Sequence, residues 1–157
     1  FDDGYADNLV NASPLLKQFG FKAQLFLLAN PEIDSNRWDH SATETAYPIV
    51  SGADRQKWKD SAFEIGSHGF SHKKITSMTD AEARAELKNS KLSLEKEFQT
   101  EVCSYAFTYG DTSAKHADFA FEEGYDYAVN TDTGGLLLEE DPYQIFRVNI
   151  FPMFPRS

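Results

Sequence analysis

Ala62-Phe63-Glu64-Ile65-Gly66-Ser67-His68-Gly69-Phe70-Ser71-His72 is the stretch on which the reading of this chain turns. Ala62 to Gly66 is a short, mostly apolar run of strand length, and it hands over at once to two histidines four residues apart. Half of the chain's 4 histidines therefore fall within this one turn. An i, i+4 pair can bring two imidazoles to one side of a helical turn or tight loop, where both reach one ion. Two nitrogens do not complete a stable divalent site, which wants a third protein ligand, often a carboxylate. The best source of one is Phe1-Asp2-Asp3-Gly4. A polar turn explains either stretch alone, since Asp is common before a turn Gly. Together they favour a metal site.

The same alternation of short apolar runs with helical patterns extends in both directions. Phe1 to Gly4 reads as the end of a strand and a loop, and Ala23 to Leu28 as a buried strand. Between them Asp7 to Phe19 is a helix candidate, with Leu9, Leu15, Leu16 and Phe19 inward and Gly20 as its stop. Residues 30–52 form a long polar loop of the kind that makes rims and lids. Ala53 to Ser61 is a short helix carrying Trp58. Thr79 and Glu82 form a capping box for a helix to about Phe98, with Ala83, Leu87, Leu94 and Phe98 inward. Val102 to Phe107 is a strand, Thr112 or Ser113 caps a helix through Glu123, Tyr127 to Val129 is a strand, and Phe146 to Ile150 alternates as a last one. Strand and helix in alternation predict an α/β fold of parallel strands with helices outside, either an open sheet or a barrel. Both place chemistry at the carboxyl ends of the strands. Asp2, Asp3, His68, His72 and Tyr109 all follow strands, so residues distant in sequence would meet on one face.

Composition narrows the partners. A chain of 157 residues with 41% hydrophobic residues has a core of its own, and the expectation is one domain over 1–157. A net charge of −10 argues against nucleic acid or anionic lipid as a partner held by a basic surface. The single cysteine excludes an internal disulfide. No apolar run reaches membrane-span length. The chain opens on Phe1 rather than Met, within a motif, so a piece of a longer protein with flanking domains is expected.

A carboxylate and two neutral imidazoles leave coordination positions open for water, as catalytic sites do. An ion there lowers the pKa of that water and polarises a carbonyl oxygen. Asp2, beside the ligand Asp3, can then serve as general base, because adjacent side chains on an extended segment point apart. Two His and one Asp accept zinc first, and cobalt, nickel or iron as well.

These residues resemble the polysaccharide deacetylases of the NodB-homology type, carbohydrate esterase family four. Phe1-Asp2-Asp3-Gly4 is similar to the family's Thr-Phe-Asp-Asp-Gly motif without the Thr, and Ser67 to His72 to its His-(Ser/Thr)-x-x-His motif, with Gly69 at the Ser/Thr place. Tyr105 to Gly110 resembles the Phe-Ala-Tyr-Pro-Tyr-Gly motif, with Thr108 where Pro is usual. The resemblance implies a distorted, incomplete (β/α) barrel, an extracytoplasmic location and metal-dependent removal of acetyl groups from N-acetylglucosamine-type polysaccharide. By position it implies Asp2 as base, Asp3, His68 and His72 as metal ligands, and the backbone N–H of Tyr109 as an oxyanion donor.

The sequence also departs from the pattern. Ala106 stands where one form of the third motif has an Arg that orients the base; Arg147 is a substitute, although a surface Arg is the plainer expectation. No histidine follows His116 to serve as the family's late general acid, and His116 itself reads as a surface residue. His40 lies in the long loop within reach of a cleft, and Asp132-Thr133-Gly134-Gly135 matches the fourth motif poorly. Trp38, Tyr47 and Trp58 are read as core or loop packing before sugar stacking. Two other functions stay open: an amide or imide hydrolase of the same fold, and a non-catalytic glycan-binding module.

Overall fold

The structure, a computed structural model, describes residues 1–39, 46–131, 141–148 and 150. Five strands lie in chain order in one all-parallel sheet: β1 (Asp2–Asp3), β2 (Ala23–Leu27), β3 (Phe63–Ser67), β4 (Ser104–Ala106) and β5 (Tyr127–Val129). Each step between neighbours is a crossover in one direction, so the sheet curls into part of a (β/α) barrel with helices outside. The helices are α1 (Ser13–Gln18), α2 (Asp80–Phe98) and α3 (Ala114–Glu122).

Register places the site. Asp3 pairs with Leu27, Leu27 with Ser67, and Ser67 with Tyr105, so these four residues form one row across four strands. His68 leaves the sheet one residue beyond that row. Strand alternation sorts the two faces. Leu25, Leu27, Tyr105, Phe107 and Ala128 pack against the helices, while Phe26, Ala106 and Val129 form a smaller cluster on the concave face. Gly66 lies on that concave side, and the tight packing there is why it is glycine. A Cβ would stand 2.5 Å from Ser104 Oγ, 2.7 Å from Phe26 Cδ1 and 2.8 Å from Gln24 Nε2.

Helix α2 forms as its sequence prescribes. The Thr79 side chain accepts from the Glu82 N–H, and the Glu82 carboxylate accepts in return from the Thr79 N–H at 2.8 Å. Ala83, Leu87, Ser90, Leu94 and Phe98 are its buried stripe. Ser90 is tolerated inside because its hydroxyl is used: it accepts from Ser67 Oγ at 2.9 Å and donates to the Leu87 carbonyl at 2.9 Å. This polar contact ties α2 to the end of β3, directly below His68.

Three expectations about the fold are corrected. The helix expected over Asp7 to Phe19 is a π-helical turn, Asn8–Ala12, running into the short α1, and Leu15 and Phe19 are exposed rather than inward. Pro14 at the start of α1 lacks the N–H that would continue the preceding α-helical bonding, which explains the break. The short helix expected over Ala53 to Ser61 is present as a 3₁₀ helix, Gly52–Asp60, and Trp58 on it packs in the core as expected. The last strand, expected over Phe146 to Ile150, is reduced among the described residues to a single parallel bridge between Val129 and Ile145. His116 is buried, not a surface residue: its Nδ1 lies 3.0 Å from Ser113 Oγ and its ring meets the edge of Phe119.

Candidate metal centre

Asp3, His68 and His72 converge. Asp3 Oδ1 is 3.4 Å from His68 Nε2 and 3.2 Å from His72 Nε2, and all three residues are buried. They form the one group of potential ligands that comes together among the described residues. Asp3 (φ 69) and His72 (φ 54) both adopt left-handed backbone conformations that cost non-glycine residues energy. Two such residues in one cluster show that the surroundings hold the side chains in place against local preference.

The hydrogen bonds select the state of His68. Its Nδ1 is 2.8 Å from the Ala106 carbonyl oxygen, which only accepts, so Nδ1 carries the proton and Nε2 of the neutral ring presents a lone pair. That lone pair faces Asp3 Oδ1, another acceptor. Asp3 Oδ1 is buried with no hydrogen-bond partner, and so is His72 Nδ1. Acceptors converging in a buried spot, one of them unpartnered, are what a divalent cation satisfies. The donor set of one carboxylate and two imidazoles suits zinc and its neighbours. The residues present therefore fit a metal ion.

Further contacts fix the frame. The His68 N–H donates to the Leu27 carbonyl at 2.8 Å, and its carbonyl accepts from Thr108 Oγ1 at 3.2 Å. Thr108, at the position where the family has Pro, thus ties the end of β4 to the histidine. The Tyr5 phenol interacts with the Asp3 carboxylate and with Asn36. Burial first, and then the charges of Asp3 and Asp39, push that phenol far above its usual range, so it stays a donor. The His72 ring is stacked on Trp38, with centroids 3.8 Å apart and planes at 24°, and meets the edge of Tyr109 at 4.9 Å. Tyr109 itself has φ 62 and an exposed ring at the rim of the site.

Asp2 is held apart from this cluster. On the concave face it receives both ends of the Arg147 guanidinium, at 2.7 Å to Oδ1 and 2.8 Å to Oδ2. Arg147 in turn donates through Nε to the Asn130 carbonyl at 3.1 Å and lies over the Phe26 ring. Arg147 is therefore not the surface residue expected. Burial pushes the Asp2 carboxyl up, but the Arg147 guanidinium, through its hydrogen bonds and its charge, outweighs it, and the carboxyl lies below its usual range. Ala106, where an Arg was sought, packs with Phe26 and Val129 instead.

Sequence reasoning assembled Asp2, Asp3, His68, His72 and Tyr109, and the structure gathers all five at the carboxyl ends of β1, β3 and β4. It missed the role of Tyr5, the stacking of Trp38 on His72, and Glu86 of α2, which binds the loop between the two histidines. A Tyr one residue beyond the Asp-Asp-Gly turn was a usable signal; Glu86 had none, being one of many charges on a long helix. His40 and Asp132 to Gly135 lie outside the described residues, and Tyr47 is exposed. No helix of the described residues is long and apolar enough to cross a membrane.

Comparison with known proteins agrees with this arrangement. The family model for polysaccharide deacetylase matches residues 1–128. YxkH of Bacillus subtilis (strain 168), a candidate polysaccharide deacetylase, is 28% identical over 155 residues, covering 97% of this chain and 50% of that protein. The chain thus spans about half the length of this curated relative. The deacetylase PplD of Streptococcus pyogenes, solved in complex with acetate, shares the fold with a TM-score of 0.79 at 20% identity, over 97% of this chain and 63% of that one. The deacetylase domain of BpsB from Bordetella bronchiseptica shares it with a TM-score of 0.74 at 20% identity, over 94% and 68%. With a buried Asp-His-His cluster at the end of a parallel half-barrel and a family match over most of its length, this chain belongs to the polysaccharide deacetylase family.

Proposed function

We propose that this chain is a metal-dependent N-deacetylase acting on N-acetylglucosamine-type polysaccharide outside the cytoplasm. The observation that carries the reading is the division of labour between adjacent acids: Asp3 faces two imidazole nitrogens, while Asp2 is held ionised by Arg147 beside them. Asp3, His68 and His72 are the ligands, with zinc the first candidate. A divalent ion held there supplies a Lewis acid and lowers the pKa of a coordinated water towards ~7.

The chain's own groups do the rest. Asp2, kept as a carboxylate by Arg147, accepts the proton of the attacking water. The Tyr109 backbone N–H, at the turn after β4, donates to the oxygen of the acetyl carbonyl as charge develops on it. Asp2, once protonated, is an acid stronger than an ordinary carboxyl, and it returns the proton to the departing nitrogen. Acetate and a free amine are the products. Tyr109 exposes 45% of its surface at the rim, and an aromatic ring open to solvent suits one residue of a polymer.

The test is acetate release from N-acetylglucosamine oligomers by metal-loaded wild type and Asp2→Asn. Release by the wild type that falls at least 100-fold in the variant is expected, in the range ascribed to a general base. Folded, metal-loaded wild type that releases no acetate refutes the reading.

A further inference from the structure

The loop that carries the second histidine is held from outside the sheet. Glu86, on α2, directs one carboxylate oxygen at three donors of that loop: the Phe70 N–H at 2.8 Å, the Ser71 N–H at 2.7 Å and the Ser71 hydroxyl at 2.9 Å. The loop runs from His68 to His72, and its last residue sits in a left-handed conformation that it does not favour by itself. Three bonds to one charged acceptor are the strong kind. On its other side the loop is held by Ser67 Oγ, which accepts from the Gly69 N–H at 3.2 Å, and by the Ala29 N–H, which donates to the Gly69 carbonyl at 2.8 Å.

Gly69 completes the argument. It has φ +85, and a Cβ there would lie 3.0 Å from Glu86 Oε1 and 3.1 Å from the Tyr105 hydroxyl. Oε1 is the atom that makes all three loop bonds, so a side chain at position 69 would press on the carboxylate that holds the loop.

We propose that Glu86 is a positioning residue for His72: by clamping residues 70 and 71 it sets the second imidazole for the metal. This rests on the metal reading of Asp3, His68 and His72.

The experiment is a cobalt(II) titration of the metal-free chain, read through the fluorescence of Trp38, which stacks on His72. Trp38→Phe identifies the signal, since the other tryptophan is buried in the core. Glu86→Met keeps the side chain's bulk and removes the acceptor; Glu86→Gln keeps the acceptor. Removing a group that orients a metal ligand typically weakens affinity 10- to 100-fold, and that loss is expected for Glu86→Met, with Glu86→Gln restoring most of it. Thermal unfolding in chelator shows that both variants are folded before metal is added. Equal cobalt affinity in wild type and Glu86→Met overturns the inference and leaves the metal reading intact. Wild type that binds no cobalt removes both.

Discussion

Arg147→Met tests the frame around the base. The Arg147–Asp2 pair is bidentate, and its side chains are 24% and 29% exposed. Fully exposed pairs contribute about 0–1 kcal/mol, and removing one partner of a buried pair costs about 3–5 kcal/mol. With roughly a quarter of each group in water, a loss of about 2 kcal/mol is expected, because Asp2 stays ionised and half-buried without its partner. At a urea slope of about 2 kcal/mol/M that moves the unfolding midpoint down by roughly 1 M. The measurement is made in chelator at neutral pH on wild type, Asp2→Asn, Arg147→Met and the double variant. The double-mutant cycle isolates the pair. The pH dependence has a definite sign. The folded Asp2 carboxyl lies below its unfolded value, about 3.9. The pair's contribution is therefore complete above the unfolded value and is lost as pH falls through the folded one. In Arg147→Met, burial acts on the carboxyl without the guanidinium, so this contribution shrinks and the acid limb of activity moves to higher pH. Wild-type urea midpoints and an unmoved acid limb in Arg147→Met would refute the reasoning.

Two more outcomes follow from other parts of the fold. Gly66→Ala places a Cβ within 2.8 Å of three side-chain atoms on neighbouring strands, and overpacking of this kind costs about 1–3 kcal/mol; calorimetry should show the lowered Tm, and cobalt titration a weaker site, because β3 delivers His68. His116 is held below its usual pKa, by burial first and then by Lys115, with Asp111 and Asp80 opposing. Its neutral form is the folded one, so stability is complete above the unfolded value near 6.5 and falls as pH drops through the folded value. His116→Gln should flatten the decline in Tm between pH 7 and 5, and an unchanged slope would show that another group sets it.

Much of this was legible because the signals are local. A capping box, an inward stripe and a Gly-ended helix are read from residues three or four apart, and α2 formed as written. The candidate ligands were legible for a related reason: parallel strands bring their carboxyl ends together, so Asp3 and His68 meet whatever the loops between them do. The remainder depended on contacts that no local pattern encodes. Arg147 looks like any strand-edge cation until β5 and the bridge at Ile145 bring it over Phe26. Glu86 is one carboxylate among many until the His68–His72 loop folds back on α2. His116 sits on a helix whose buried face could not be told from a three-residue hydroxyl contact. Leu15 and Phe19 misled in the opposite direction, because Pro14 reset the helix and turned them to solvent.

The Asp2–Arg147 contact joins residues 145 positions apart. Closing so long a loop costs conformational entropy, and contacts of this kind form late in folding. The sheet from β1 to β5 and the Asp3, His68 and His72 cluster need nothing beyond Val129 for their own pairing. During synthesis the ligand cluster can thus assemble while residue 147 is still within the ribosome, and the base gains its partner only after the rest is in place. A chain ending before residue 147 would keep the Asp3, His68 and His72 cluster but lack the guanidinium that holds the Asp2 carboxylate.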